Sequence, residues 1–285
     1  MSRETTPAPS SHRTPLARRL TVGPASVAVW LALLLLLTAA LPLLLAISVF
    51  DRRRQHRSLR AFWAWCLRLF FLRFLGAIRY HRVAERPAPD RVRSLAPCVF
   101  TANHRSWLDG ILALALFPGV LVPVSGSYAR IPVLGLVIRW SGGIPIDRAE
   151  PAAIVDGVHR AGRLLAAGHS LFVFPEGTRG RGRGIGPFSD FFFRLARDRG
   201  VPVVPVVMHS DALALSPGAP GFLPRRRARW RIRILEPIIP DRRDRPADLA
   251  RRARAGIGAA LAALDGEDAA DHTGREAVPD RGENR

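Results

Sequence analysis

The sequence predicts an α/β domain preceded by N-terminal membrane helices, and three observations carry that reading. Short apolar strand-like segments alternate with helical ones in the second half of the chain, the pattern of a sheet flanked by helices. A run of 31 residues without a charge lies near the N-terminus. The 285 residues are 48% hydrophobic and 23% charged, which suffices for one buried core plus a membrane element and excludes a disordered chain.

The uncharged run extends from Leu20 to Phe50. At about 1.5 Å per residue a helix of that length exceeds the roughly 30 Å hydrocarbon core, so it spans with tilt or with a bend at Pro42. Arg18 and Arg19 precede it as they would a signal peptide. The run is too long for one, however, and Arg52, Arg53 and Arg54 follow without a small-residue cleavage pattern, so it reads as a retained anchor. Arginines at 52, 53, 54, 57 and 60 outnumber those at 3, 13, 18 and 19 and lie closer to the run, which places the following domain on the cytoplasmic side. Residues 61–80 mix Phe62, Trp63, Trp65, Phe70 and Phe71 with Arg68, Arg73 and Arg79, a composition suited to a helix lying among headgroups. The expected layout is a disordered basic N-terminus at 1–19, a membrane anchor and interfacial helix at 20–80, a folded domain at 81–264 and a disordered acidic tail at 265–285. That tail holds seven acidic and three basic residues and few large apolar ones.

The net charge of +20 points to an anionic partner, either nucleic acid or a lipid surface. All 43 basic residues are arginine. The absence of lysine excludes Schiff-base chemistry, a phosphate-loop lysine and a lysine general base. No recognition helix, zinc finger or RNA-binding signature is present, and an aromatic-rich amphipathic segment beside an apolar run serves a membrane, so no nucleic-acid partner is expected. Cys66 and Cys98 are too few for a disulfide framework or a zinc site.

Strands are expected at 98–101, 120–124, 143–146, 170–174, 202–208 and 230–235. Between the third and fourth, Pro151 suits a first helical turn, Ile154, Val155, Val158, Ala161, Leu164 and Leu165 keep helical spacing, and Gly168 offers a stop.

The first chemical motif, Asn103-His104-Arg105-Ser106-Trp107-Leu108-Asp109, falls where a strand ends and an apolar helix begins. Ser106 and Asp109 resemble a capping box, which puts Ser106 at the N-cap and His104 on the preceding loop. Along an ideal helix five residues would turn His104 about 140° away from Asp109; a loop histidine can fold back over the first turn instead. A carboxylate holding one ring N–H fixes the tautomer and leaves the other nitrogen as a base. The spacing alone is a weak signal and favours a capping aspartate beside an ordinary loop histidine.

Further blocks follow in order: Gly143-Ile144-Pro145-Ile146-Asp147-Arg148, then Phe174-Pro175-Glu176-Gly177-Thr178-Arg179, then Val201-Pro202-Val203-Val204-Pro205-Val206. Together with the first motif they resemble the glycerolipid acyltransferases, in particular bacterial 1-acylglycerol-3-phosphate acyltransferases, over roughly 97–240. The resemblance implies a mixed, mostly parallel sheet flanked by helices and an acyltransferase domain over 81–264. It also implies a membrane-bound enzyme on the cytoplasmic side of the bacterial inner membrane. The implied reaction transfers a fatty acyl group from acyl-CoA or acyl carrier protein, as co-substrate, to lysophosphatidate, forming phosphatidate among the membrane lipids. No cofactor is implied and no oligomeric state.

The residues suit that chemistry. A hydroxyl attacking a thioester needs a base, and His104 held by Asp109 supplies one with no metal and no nucleophilic cysteine. Arg148 and Arg179 each follow a strand end, where a guanidinium can bind phosphate oxygens bidentately. Glu176, Gly177 and Thr178 form a loop whose N–H groups and hydroxyl could hold the acceptor or the developing oxyanion; Glu176 serves equally as a partner of an arginine or of backbone N–H groups. Gly142 and Gly143 suit a turn.

Two places depart from the family pattern. Members commonly carry a lysine where Ser125-Gly126-Ser127 stands, and a Phe-Lys-Lys-Gly type stretch where Phe188-Ser189-Asp190-Phe191 stands. Both losses remove positive charge from a region expected to face phosphate, and Arg130, Arg181 and Arg183 are the candidates to compensate. Acylation of a different lysolipid is therefore an alternative, as is a non-catalytic lipid-binding protein of the same fold, against which the intact His104 and Asp109 argue.

Overall fold

The computed structural model describes residues 55–74, 81–131, 143–147, 149–180, 184–212 and 228–276, with isolated positions within 27–42 and 134–138 and at 216. Five strands form the main sheet: β1 (His81–Glu85), β2 (Val99–Ala102), β5 (Leu171–Val173), β6 (Val203–Ser210) and β7 (Ala228–Ile234), in the order β1-β7-β6-β2-β5. Every pairing is parallel except β6 with β7. The sheet is therefore mixed and mostly parallel, as expected. A second parallel pair, β3 (Pro123–Ser125) and β4 (Ile144–Ile146), adjoins it, and Leu121 bridges to Leu171.

Helices cover both faces, as a largely parallel sheet requires. Alternate residues of β2 enter different cores. Phe100 packs with Phe117, Phe172, Leu112 and Trp230 beneath α1 (Gln55–Leu67) and α3 (Trp107–Leu116). Val99 packs with Leu121, Ile144, Leu165, Phe193 and Leu249 beneath α5 (Pro151–Ala166), α6 (Phe191–Arg199) and α7 (Pro246–Glu276). The short helices α2 (Pro89–Ser94) and α4 (Gly126–Ala129) fill connections. Phe100, Phe117, Phe172 and Phe193 are essentially inaccessible, and each such burial contributes about 2 kcal/mol.

Three sequence expectations change. The N-terminal membrane helices are not found: among the described residues no helix is long and apolar enough to cross a membrane, and most of 20–50, like all of 1–19, lies outside them. The segment at 61–80 does more than lie on a surface. Trp63, Cys66 and Phe70 of α1 and the π-helical turn after it (Arg68–Phe74) are buried, and the Arg68 Nε donates to the Ala115 carbonyl of α3; Trp65 and Leu69 stay exposed. Finally, residues 265–276 are helical, the end of α7, where a disordered tail was expected. Their acidic side chains have buried partners: the His209 imidazole lies 3.1 Å from Asp265, and Arg231 pairs with Glu267 and Asp268. Residues 277–285 lie outside the described ones. Strand β1 was not expected, because His81, Arg82 and Glu85 lack a strand's usual apolar alternation.

Candidate active site

Parallel β2 and β5 end side by side, so the loops after them, carrying the first and third motifs, meet at one edge of the sheet. Ser106 is the N-cap of α3: its side chain accepts from the Leu108 N–H at 3.1 Å, and the reciprocal bond runs from the Ser106 N–H to Asp109 at 2.8 Å. This capping box turns the Asp109 carboxylate back over the loop. Its Oδ2 accepts from the Arg105 N–H at 2.7 Å and lies 3.0 Å from the His104 Nδ1. A single oxygen thus gathers two backbone donors and the imidazole. Asp109 is 1% exposed, whereas the His104 side chain keeps 19% of its surface open. With Nδ1–H donated to the carboxylate, the Nε2 lone pair is left for a proton.

Two features of this site were not foreseen. The His104 ring stacks on Phe174, with centroids 4.3 Å apart and planes 27° from parallel. Phe174 in turn leans on Phe172, Phe172 on Phe117 and Phe117 on Phe100, a file of rings running from the core to the imidazole. Asn103, 1% exposed, imitates a strand residue: its side-chain N–H donates to the Met208 carbonyl at 2.8 Å, and its Oδ1 accepts from the Met208 N–H at 2.9 Å. That pair clamps the start of the histidine loop to β6. Its only trace in the sequence is an asparagine directly before His104.

Glu176 resolves its alternatives in favour of backbone N–H groups. Its Oε1 accepts from the His104 N–H and its Oε2 from the Gly186 N–H, both at 2.8 Å. The Gly180 N–H donates to the His104 carbonyl at 2.8 Å, so the two motif loops are laced together on both sides of the histidine. Gly177 has φ 72°, a left-handed turn that suits glycine, and Thr178 and Arg179 follow it at the exposed rim. His104, Asp109, Glu176, Gly177, Thr178 and Arg179 therefore share one site. Arg148 lies outside the described residues, as do Arg181 and Arg183. Its neighbour Asp147 binds Arg130 at 2.8 Å, and that guanidinium holds the carboxyl below the usual carboxylate range, helped by the Ala149 N–H. Beside it the backbone of Gly126 approaches closely: a Cβ there would stand 3.0 Å from that of Asp147.

Fold and site define an α/β domain that presents a carboxylate-held histidine where parallel strands end. Residues 83–209 match the protein-family model described as Acyltransferase, in keeping with the resemblance that the motifs carry. It is 30% identical over 207 residues to a chloroplastic 1-acyl-sn-glycerol-3-phosphate acyltransferase of Brassica napus, covering 72% of this chain and 57% of that one. It is 32% identical over 147 residues to the human 1-acyl-sn-glycerol-3-phosphate acyltransferase alpha, half of each chain. The chain thus spans about half the length of the curated relatives it matches. The crystal structure of the 1-acyl-sn-glycerophosphate acyltransferase from Thermotoga maritima shares the fold, with a TM-score of 0.69 at 19% identity over 87% of this chain and 98% of that one.

Proposed function

We propose that the protein is a membrane-associated O-acyltransferase that moves a fatty acyl group from acyl-CoA or acyl carrier protein to the free hydroxyl of lysophosphatidate, forming phosphatidate on the cytoplasmic side. The observation that carries this reading is the His104 Nδ1 held 3.0 Å from Asp109, which orients Nε2 as a base. In the forward step the acceptor hydroxyl loses its proton to Nε2 as its oxygen bonds to the thioester carbonyl carbon. The tetrahedral intermediate then collapses, the C–S bond breaks, and the departing sulfur takes the proton back from the imidazolium that Asp109 has stabilised. Arg179, and Arg148 with it, would hold the acceptor phosphate, while the turn at Gly177 and Thr178 would shape its site. The names of the relatives in Brassica and human support this substrate.

Acylation of another lysolipid is favoured by one observation. Arg130, a candidate to replace the missing cations, is engaged by Asp147.

The test is an acyl-transfer assay on membranes containing the full chain, with labelled acyl donor and a panel of lysolipids. Lysophosphatidate is expected to be the preferred acceptor and His104→Ala to abolish transfer. Equal transfer by wild type and variant would reject the catalytic reading, and preference for another lysolipid would move the acceptor.

A further inference from the structure

A concavity lies at the pole of the sheet opposite the motif loops. Its wall includes Ala96, just before β2, and Gly168, His169 and Ser170, just before β5, whereas His104 and Glu176 follow the far ends of those strands. The cavity measures about 530 Å³, within the roughly 300–1,000 Å³ of small-molecule sites and larger than a bare inorganic anion needs.

Its chemistry is one-sided. Arg60 reaches it from α1, Arg68 from the π-helical turn that follows and Arg93 from α2, with His169 on the strand side, and among the described residues no carboxylate lines it. Asp90 balances Arg93 from outside, at 2.6 Å. Burial, then the charges of Arg86 and Arg93, press the Arg68 guanidinium below its ordinary pKa. Most of the remaining wall is apolar, with Ala64 and Phe100 in it. At the rim Trp65 is 59% exposed, and one turn further along the helix Leu69 is 46% exposed. An arginine-lined hollow opening onto an outward apolar stripe is complementary to an anionic headgroup that carries hydrocarbon.

We propose that this cavity binds the headgroup of an anionic bilayer phospholipid, its phosphate among Arg60, Arg68 and Arg93 and its acyl chains along Trp65 and Leu69, as a lipid site separate from the one at His104. Arginine suits the phosphate oxygens, and an exposed tryptophan suits the interface. The site does not depend on the acyl-transfer reading.

Thermal unfolding of the detergent-solubilised full chain tests it, titrated separately with soluble short-chain phosphatidylglycerol, the matching phosphatidylcholine, and inorganic phosphate. Phosphatidylglycerol is expected to raise the midpoint, by about 4 °C for each tenfold increase above saturation, and the other two to do much less. The shift is expected to vanish in Arg60→Gln/Arg68→Gln. It should also vanish in Ala64→Phe, which fills the cavity without removing charge or the Arg68 bond to Ala115. It is expected to persist in Arg242→Gln/Arg252→Gln, which removes two charges elsewhere, and in Arg179→Ala. Equal shifts with phosphatidylcholine, or shifts of the same size with inorganic phosphate, would overturn the proposal. So would loss of the shift in Arg179→Ala with retention in the cavity variants, which would place the lipid beside His104.

Discussion

The imidazole of His104 rests face to face on the ring of Phe174, one residue beyond the end of β5, so the proposed base is steadied from below by a strand and from the side by Asp109. Stacked rings contribute about 0.5–1.5 kcal/mol beyond their burial. Phe174→Leu is expected to lower kcat about tenfold while the acceptor KM changes little, with Phe174→Tyr close to wild type. Steady-state kinetics on the three proteins would show it; a KM effect alone would make Phe174 a binding residue.

Asp109 has two duties, and two substitutions separate them. Asp109→Asn keeps an oxygen for the Arg105 and Ser106 N–H groups but loses the charge that stabilises the imidazolium, so kcat should fall by about 10³–10⁴ with little change in stability. Asp109→Ala also breaks the capping box and should lose about a further 1–2 kcal/mol in urea unfolding.

Glu176 needs both oxygens. The amide of Glu176→Gln offers one acceptor, so either the His104 or the Gly186 N–H faces another donor, at a cost of about 1–3 kcal/mol. Lower thermal stability and faster hydrogen exchange at Gly186 or His104 are expected. Unchanged exchange at both amides would contradict the lacing of the two loops.

Arg179 stands at the exposed rim beside the Gly180–His104 bond. Arg179→Ala is expected to raise the KM for a phosphate-bearing acceptor about tenfold or more and to leave the donor KM unchanged. An unchanged acceptor KM would remove Arg179 from the acceptor site.

Cys98 is fully buried, and that burial pushes its thiol from 9.0 up to about 12, against a smaller opposite pull from the Ser170 hydroxyl. The folded protein keeps the proton where the unfolded chain has released it. The resulting stability is complete below about pH 9 and is lost as pH rises toward about 12. Denaturant midpoints should fall across that window in wild type and fall less in Cys98→Ala. Alkylation of native Cys98 at pH 8 should be slow, becoming fast on unfolding.

These relationships differ in how far the sequence announces them. Ser106 and Asp109 are three residues apart, so local geometry nearly dictates the capping box and the return of the carboxylate to His104. The strands at β2, β5 and β6 are legible because each is an apolar run bounded by proline, glycine or a polar loop. Three features depend on residues distant in the chain. Phe174 meets His104 only because β2 and β5 are parallel neighbours, and Asn103 completes a strand edge presented about a hundred residues later. The acidic stretch after Asp265 looks like a solvated tail until His209 and Arg231 are seen beneath it. Strand β1 is equally hidden, since its charged residues are tolerated at an edge where, among the described strands, β7 is its partner.

The pairing of β1 with β7 has a bearing on biosynthesis. The first strand of the sheet waits for one that begins at residue 228, and Val207 of β6 is covered by Ile257, Leu261 and Leu264, later still in the chain. A ribosome that has made residues 81–212 has finished both motif loops but released a sheet with β6 bare on one side and β1 without a neighbour. Nascent chains at that stage expose sticky edges, so prematurely terminated products are destined for aggregation or proteolysis.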